Sequence, residues 1–348
     1  MAAPYEQDVA RLAKDKAIPW QSFEGKTMCV TGATGLIGGL IVRALCAHAE
    51  LVGSPLHVVL PVRNLVKAQK RFGGMDGVHI VEWDALSSEA PQGLDSCDYI
   101  IHCASNTDSR LMVERPVDTV LATVEGTRSM LELARSTSAR ICFVSSMEVY
   151  GSGSQEPLDE RCGGELDAMS VRSSYPQAKQ LAETLCASYA SQYGLSACVA
   201  RLAQSFGPGI APSDRRVFAE FARCCREGRD IGLLTDGSKS NMYVYTADAV
   251  AALLLLVVKG EAGRAYNIAN EQTFCSIWEM AQMVAGAFGP HTKVTRVMDE
   301  EAAKRYAVSG KLWLDTTRIR SLGWEPTADL VGMYERMMAD WDDTKDCG

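Results

Sequence analysis

The chain has 348 residues, of which 47% are hydrophobic and 22% charged, and its net charge is −8 at pH 7. A chain of this length can bury a large core, and its composition predicts a soluble globular protein with one large domain or two coupled ones. The negative charge and the lack of a lysine- and arginine-rich run exclude binding to a nucleic-acid backbone.

Cysteine usage and the apolar runs indicate the compartment. The 12 cysteines contain no Cys-x-x-Cys pair, and the 5 histidines form no ligand cluster. Such cysteines are typical of buried thiols in a reducing cytosol, and no metal site is expected. The start of the chain lacks the apolar core of a signal peptide, and the longest apolar run, around 250–258, is too short to span a bilayer. We therefore expect a cytoplasmic protein.

Apolar strands and amphipathic helices alternate after an N-terminal extension that ends near Gly25. This alternation predicts an α/β fold, a Rossmann-type doubly wound parallel sheet with helices on both faces. The predicted strands lie near 27–31, 56–62, 78–81, 98–102, 140–145 and 197–202. The predicted helices lie near 36–48, 64–72, 114–136 and 174–193, and the stretch 151–171 is rich in turns.

A smaller substrate-binding lobe is predicted to begin after the turn-rich stretch 206–212. The strand Tyr243-Val244-Tyr245 and the helix 248–258 are predicted to return to the main sheet. The predicted organisation is therefore an extension at 1–25, a dinucleotide-binding domain at 26–206 joined by 243–270, and a lobe built from 207–242 and 271–348.

Three glycines, Gly32, Gly35 and Gly38, lie where the first strand gives way to a helix. Glycines at such a junction allow a tight turn, close approach of a ligand and close packing of the helix on the strand. The free N–H groups at the start of the helix, near Leu36 and Ile37, and its partial positive charge suit an anion. The pattern predicts a pyrophosphate site, although the same spacing also occurs in purely structural turns.

Arg63 follows the second predicted strand, where a dinucleotide fold places the residue that meets the adenosine ribose. A guanidinium fork suits a 2′-phosphate, so Arg63 favours NADP over NAD. The same arginine could instead stack on adenine or remain an ordinary loop charge.

Tyr175 and Lys179 are four residues apart and share one face of a predicted helix. A nearby ammonium, together with an oxidised nicotinamide, is expected to lower the pKa of the phenol and make it a general base. Ser146 ends the fifth predicted strand, where it could hydrogen-bond the reacting oxygen. The alternatives are a solvated Tyr–Lys pair and a serine that caps a turn.

In combination these motifs resemble the extended short-chain dehydrogenase/reductases, and more narrowly the NAD-dependent epimerase/dehydratase branch that modifies nucleotide sugars. The resemblance covers about 26–342 and includes the stretches 201–208 and 322–326. It implies a catalytic triad of Ser146, Tyr175 and Lys179, with Lys179 also holding the nicotinamide ribose. It further implies a homodimer formed through the helices 114–136 and 174–193, which carry apolar residues on more than one face. The other cofactor contacts that it implies are Asp84 with Ala85 at the adenine, and Ala104 with Ser105.

Residues 147 and 148 distinguish between reactions within this family. Relatives that are 4,6-dehydratases have an Asp-Glu pair there and decarboxylases have Ser-Glu, whereas this chain has Met147-Glu148. A thioether cannot donate a proton, which disfavours elimination of water. Glu148 leaves epimerisation or decarboxylation through a keto intermediate open, unless it is an ordinary surface carboxylate beside Tyr150.

The residues expected to bind a diphosphate depart from the family pattern. A Gly-Ser-x-x-Arg segment in relatives supplies an arginine, but the corresponding segment here ends in Asn241. A diphosphate needs a cationic partner, and we expect Arg172 and Arg216 to supply it. Both could instead be surface arginines. Gln204 and Asn241 are the other expected substrate contacts.

The functional prediction is an NAD(P)-dependent enzyme that oxidises a nucleotide sugar, exploits the acidity beside the new ketone and returns the hydride. An NADPH-dependent carbonyl reductase is the first alternative, suggested by Arg63 and the absent diphosphate arginines. A non-enzymatic dinucleotide sensor is the second, and the intact pair of Tyr175 and Lys179 argues against it.

Overall fold

A computed structural model describes residues 2–87, 89–297 and 310–343. The last residues of the predicted lobe, including Cys347, lie outside the described residues. The described chain is built on a seven-stranded, fully parallel sheet with helices on both faces, as predicted.

The order of strands across this sheet is β10-β6-β5-β4-β1-β2-β3. The connections run in opposite directions from β1, so a crevice forms between the carboxyl ends of β1 and β4. The strand bounds are β1 Thr27–Thr31, β2 His57–Val62, β3 Val78–Glu82, β4 Tyr99–His102, β5 Arg140–Ser146, β6 Ala197–Leu202 and β10 Ala265–Ile268.

The helices form two layers around the sheet. One layer contains the fifth and sixth helices, which pack on each other and on β5; the other contains the second and eighth, and the first helix packs across these two. The bounds are α1 Pro4–Ala13, α2 Leu36–Val52, α3 Leu65–Phe72, α4 Ser109–Glu114, α5 Pro116–Thr137, α6 Ser174–Tyr193, α7 Val217–Glu227, α8 Thr246–Lys259, α9 Ile277–Phe288, α10 Thr317–Arg320 and α11 Leu330–Asp343.

A second, smaller sheet follows the main one. The bounds of its strands are β7 Gln204–Phe206, β9 Ser240–Tyr245, β11 Asn270–Ser276 and β13 Lys311–Leu312; β8 Ile231–Leu233 and β12 Val294–Arg296 pair separately. The prediction that the strand Tyr243-Val244-Tyr245 returns to the main sheet is wrong, because β9 pairs with β7. The helix after it does pack on the main sheet, and β10 pairs with β6.

The N-terminal extension folds onto the body of the protein as α1. Its Leu12 is fully buried, and the buried Asp8 accepts hydrogen bonds from Tyr245 and Arg336. Arg11 forms an ion pair of 3.1 Å with buried Asp248 at the start of α8. Buried charges require such partners, so these contacts hold α1 against α8, α11 and the end of β9.

Two further sequence expectations concern thiols and membranes. The described cysteines are all free thiols, and most of them are buried. None of the helices in the described ranges is long and apolar enough to cross a membrane.

Candidate active site

The glycine turn between β1 and α2 is sterically closed to other residues at two positions. Gly32 has φ of +67°, and a Cβ there would lie 2.8 Å from the carbonyl carbon of Cys103. A Cβ on Gly38 would lie 2.5 Å from the carbonyl oxygen of Gly32. The first glycine therefore allows the turn to meet β4, and the third allows α2 to pack against the turn.

The start of α2 is suited to an anion. Gly35 precedes the helix in an extended conformation, and no side chain caps the helix or places an acid in its first turn. The N–H groups of Leu36 and Ile37 therefore have no acceptor within the helix, and they carry its partial positive charge. These groups fit the diphosphate of a dinucleotide.

A buried hydrogen-bond network fixes the crevice beside this turn. The Oγ1 atom of Thr31 lies 2.7 Å from Nδ1 of His102 and accepts a hydrogen bond of 3.1 Å from the N–H of Ala104. Burial lowers the pKa of His102 to about 3, so the imidazole is neutral. The network places Ala104 beside the turn, and the Ser105 hydroxyl follows at 3.3 Å from that of Thr123.

The remaining expected cofactor residues lie at the same edge of the sheet. Arg63 follows β2 directly and is exposed, and Asp84 lies two residues after β3. The Asp84 carboxylate accepts a hydrogen bond of 3.0 Å from Leu86 N–H, and Ala85 packs against Gly126 of α5. The carboxyl ends of neighbouring parallel strands meet at one edge, so these positions border one crevice. Their roles toward a cofactor stay predictions.

Arg71, at the end of α3, supports the glycine turn and is missed by the sequence analysis. Its guanidinium donates hydrogen bonds of 3.2 Å to the carbonyls of Thr34 and Gly35, and one of 3.4 Å to the Tyr5 hydroxyl of α1. Gly39 leaves the space for it, because a Cβ there would lie 2.3 Å from Nη2 of Arg71. Gly39, which lies outside the spacing of the glycine motif, is the one feature of the sequence that indicates a contact of this kind.

Ser146, Tyr175 and Lys179 meet at the carboxyl end of β5. Ser146 ends the strand, and its hydroxyl accepts a hydrogen bond of 3.2 Å from Glu148 N–H, so it also caps the short 3-10 helix that follows. Tyr175 is 6% exposed at the start of α6, and Lys179 is buried one turn later. The Lys179 ammonium lies 5.8 Å from the centre of the Tyr175 ring and donates a hydrogen bond of 2.7 Å to the Val144 carbonyl.

Burial has the largest effect on the pKa of the Tyr175 phenol in the protein alone. Burial raises the pKa of Tyr175, and the Glu148 carboxylate raises it further, whereas the Ser146 hydroxyl and the Arg172 charge lower it. Burial also lowers the pKa of Lys179 to about 8. In the protein alone, burial therefore favours the neutral forms of both groups. The expectation that the ammonium and an oxidised nicotinamide together lower the pKa of the phenol stays a prediction.

Glu148 and Arg172, expected to act separately, form an ion pair of 2.9 Å. The side chains of Glu148 and Arg172 are only 30% and 23% exposed. Glu148 is therefore not an ordinary surface carboxylate, and Arg172 already has an anionic partner. Lys239, in the loop before β9, interacts electrostatically with both. No role was predicted for Lys239, although it lies within the segment that ends in Asn241.

The other expected substrate residues are dispersed. Arg216 forms an ion pair of 2.7 Å with Asp214. The positive charge that was predicted to bind a diphosphate is therefore already neutralised within its own loop. Gln204 lies on β7 opposite Tyr243, and Asn241 lies buried on β9, so both belong to the second sheet. Their contact with a substrate stays a prediction.

Comparison with known proteins agrees with this geometry. The family model described as the NAD dependent epimerase/dehydratase family matches residues 28–269. UDP-glucuronic acid decarboxylase 5 of Arabidopsis thaliana is 30% identical over 304 residues, which are 86% of this chain and 85% of that protein.

Solved structures show the same fold. The epimerase Mth375 of Methanothermobacter thermautotrophicus has a TM-score of 0.77 and 21% identity, covering 94% of this chain and 95% of that one. The dTDP-glucose 4,6-dehydratase DesIV of Streptomyces venezuelae, solved with NAD and TYD bound, has a TM-score of 0.75 and 22% identity, covering 92% and 98%.

Replacing Arg71 tests its support of the turn. We expect Arg71→Met to weaken NAD or NADP binding about tenfold, because the carbonyls of the turn lose a charged donor. Isothermal titration calorimetry measures the Kd, and thermal unfolding checks that the fold is retained. Lys70→Met, an exposed neighbour on the same helix, is the matched control. Equal Kd values for the two variants would contradict the role of Arg71.

The pKa of Lys179 predicts how stability depends on pH. Because this pKa is lowered from 10.5 to about 8, the unfolded chain binds more protons between these pH values, and the free energy of unfolding rises with pH there. From about pH 7 to about pH 9.5 the contribution is about 2 kcal/mol.

Lys179→Met should abolish this contribution. Urea unfolding of the native protein and the variant at both pH values gives the difference. An identical pH dependence in the two proteins would show that Lys179 is charged at no cost in the folded chain.

Proposed function

The chain belongs to the NAD-dependent epimerase/dehydratase family, and from that membership we propose that it modifies a nucleotide sugar through a keto intermediate, by epimerisation or decarboxylation. The meeting of Ser146, Tyr175 and Lys179 beside the glycine turn is the observation that carries the proposal. The second sheet and its connecting segments form the substrate-binding lobe of this proposal.

The chain's own residues provide the proton transfers. The Tyr175 oxygen takes the proton of the sugar hydroxyl, and the Ser146 hydroxyl orients the same oxygen. When bound in its oxidised form, the nicotinamide supplies a hydride acceptor and a positive charge beside the phenol. The donors of Lys179 that remain beside its bond to Val144 hold a ribose hydroxyl. Water is excluded, because Tyr175 and Lys179 are both buried.

The reaction at the neighbouring carbon depends on residues 147 and 148. Glu148 lies close enough to Tyr175 to raise its pKa, and in this proposal its carboxylate exchanges a proton with the neighbouring carbon. Met147 is buried and has no proton to give to a leaving hydroxyl. This supports epimerisation or decarboxylation over elimination of water. The names of relatives, which are UDP-glucuronic acid decarboxylases, point the same way.

A simple carbonyl reductase is the second candidate, with NADPH as its cofactor. Arg63 supports it, since an exposed guanidinium directly after β2 suits a 2′-phosphate. The ion pair of Arg216 with Asp214 also supports it, because the charge of Arg216 is then already neutralised within its own loop. For the first candidate, Arg63 favours NADP over NAD in the same way.

The free thiols support a cytoplasmic location.

The main proposal predicts turnover of a nucleotide sugar without added cofactor. Incubation with UDP- and CDP-sugars should give a changed sugar by NMR, and Tyr175→Phe should lower the rate about 100-fold or more while leaving the cofactor Kd unchanged. Tyr193→Phe, at the exposed end of the same helix, is the matched control and should retain the rate. Consumption of NADPH with a ketone, and no turnover of any nucleotide sugar, would favour the reductase.

We also propose a homodimer formed through α5 and α6. These helices pack on each other, yet they leave large apolar side chains in water. Val117 is 66% exposed, Leu121 44% and Leu181 49%, and the adjoining Met169 is 90% exposed. An apolar patch of this kind is typical of a protein–protein interface.

The dimer predicts that charge on this patch separates the subunits. Leu121→Asp combined with Leu181→Asp should give a monomer by light scattering, because a carboxylate buried in an apolar interface lacks a partner. Leu51→Asp, at a comparably exposed position on α2, should leave the mass unchanged. A native protein that already runs as a monomer would reject the proposal.

A further inference from the structure

We propose that Lys239 and Arg172 form an anion-binding subsite that recognises a carboxylate on the sugar of the substrate, so that Lys239 determines specificity for acidic sugars. The inference rests on the proposed function, because it names the class of substrate for the same site. Neither the sequence motifs nor the roles of the catalytic groups assign a function to Lys239.

The charges around Glu148 do not balance. The ion pair with Arg172 already neutralises the carboxylate at 2.9 Å. Lys239 adds a second cation, which attracts Glu148 and is repelled by Arg172. Within residues 2–87, 89–297 and 310–343 it forms neither a hydrogen bond nor an ion pair through its ammonium. The three side chains therefore carry one excess positive charge.

Lys239 is held in place rather than left free on the surface. It is half-buried, and its carbonyl accepts a hydrogen bond of 2.9 Å from Ile277 N–H at the start of α9. The next residue, Ser240, begins β9 and pairs with both β11 and β13. Removing an unpaired ammonium from water costs free energy, and that cost is offset when an anion binds.

Arg172 supplies an independent sign of a missing partner. Its Nη2 atom donates to Glu148, but its Nε atom is buried and has no acceptor among the residues that the structure describes. A buried N–H without an acceptor is rare in folded proteins and costs about 1–3 kcal/mol. A carboxylate between Arg172 and Lys239 would accept from Nε and pair with the ammonium, completing both groups.

The position of the cluster indicates which part of the substrate carries the anion. Glu148 and Arg172 both act electrostatically on the Tyr175 phenol, so the cluster lies near the hydroxyl that reacts in the proposed function. An anion bound there belongs to the sugar ring rather than to the nucleotide. A carboxylate there makes the substrate a nucleotide-linked uronic acid.

Binding experiments on the full chain saturated with NAD test this proposal. The probes are UDP-glucuronate, whose sugar has the carboxylate, UDP-glucose, whose sugar lacks it, and UDP, which has the nucleoside and the diphosphate but no attached sugar. We expect Lys239→Met to raise the Kd of UDP-glucuronate about tenfold and to leave the other two Kd values within about twofold. Lys239→Arg should restore most of the affinity for UDP-glucuronate.

Lys293→Met, which replaces an exposed lysine directly before β12 of the same lobe, is the matched control, and thermal unfolding checks the fold of each variant. Equal weakening of all three probes would assign Lys239 to the diphosphate and overturn the proposal, and so would an unchanged Kd for UDP-glucuronate. Selective binding of UDP-glucuronate without turnover would reject the proposed reaction and retain the subsite. Turnover that does not depend on Lys239 would reject the subsite alone.

Discussion

The close approach of Gly32 to the backbone at Cys103 and Ala104 is the contact on which the rest of the site depends. It joins the end of β1 to the end of β4, the two strands between which the sheet reverses its order. Any side chain at Gly32 would push these ends apart. The buried hydrogen bond between Thr31 and His102 holds the ends of the same two strands together, so the backbone that lines the crevice is rigid.

Support for this junction also comes from the two ends of the chain. Tyr5 of the N-terminal helix contacts Arg71, which holds the carbonyls of the glycine turn. Asp340 of the C-terminal helix accepts hydrogen bonds from the N–H groups of Tyr5 and Gly209. Segments far apart in sequence therefore converge behind the turn, which links the stability of the two termini to the geometry of the cofactor site.

Burial opposes charge on the phenol of the site and on its two lysines. It raises the pKa of Tyr175 and lowers those of Lys179 and Lys239. The Tyr175 phenol is thus protonated in the protein alone. In the function that we propose, the positive charge that lowers its pKa belongs to the oxidised nicotinamide, and the excess positive charge of Arg172 and Lys239 over Glu148 is balanced by an anionic substrate.

Six of the seven strands of the main sheet, the helices between them, the glycine turn, and the positions of Ser146 at the end of β5 and of Tyr175 and Lys179 on α6 follow from the amino-acid sequence, whereas β10 was not predicted. These depend on local patterns: buried parallel strands are continuous apolar runs, and a four-residue spacing places two side chains on one face of a helix. Tertiary structure alone decided that β9 joins the second sheet, that Arg172 pairs with Glu148, and that Arg71 and Lys239 reach the site. Strand partners, ion pairs and burial are set by residues distant in sequence, and a local pattern contains no information about which charges the fold brings together or removes from water.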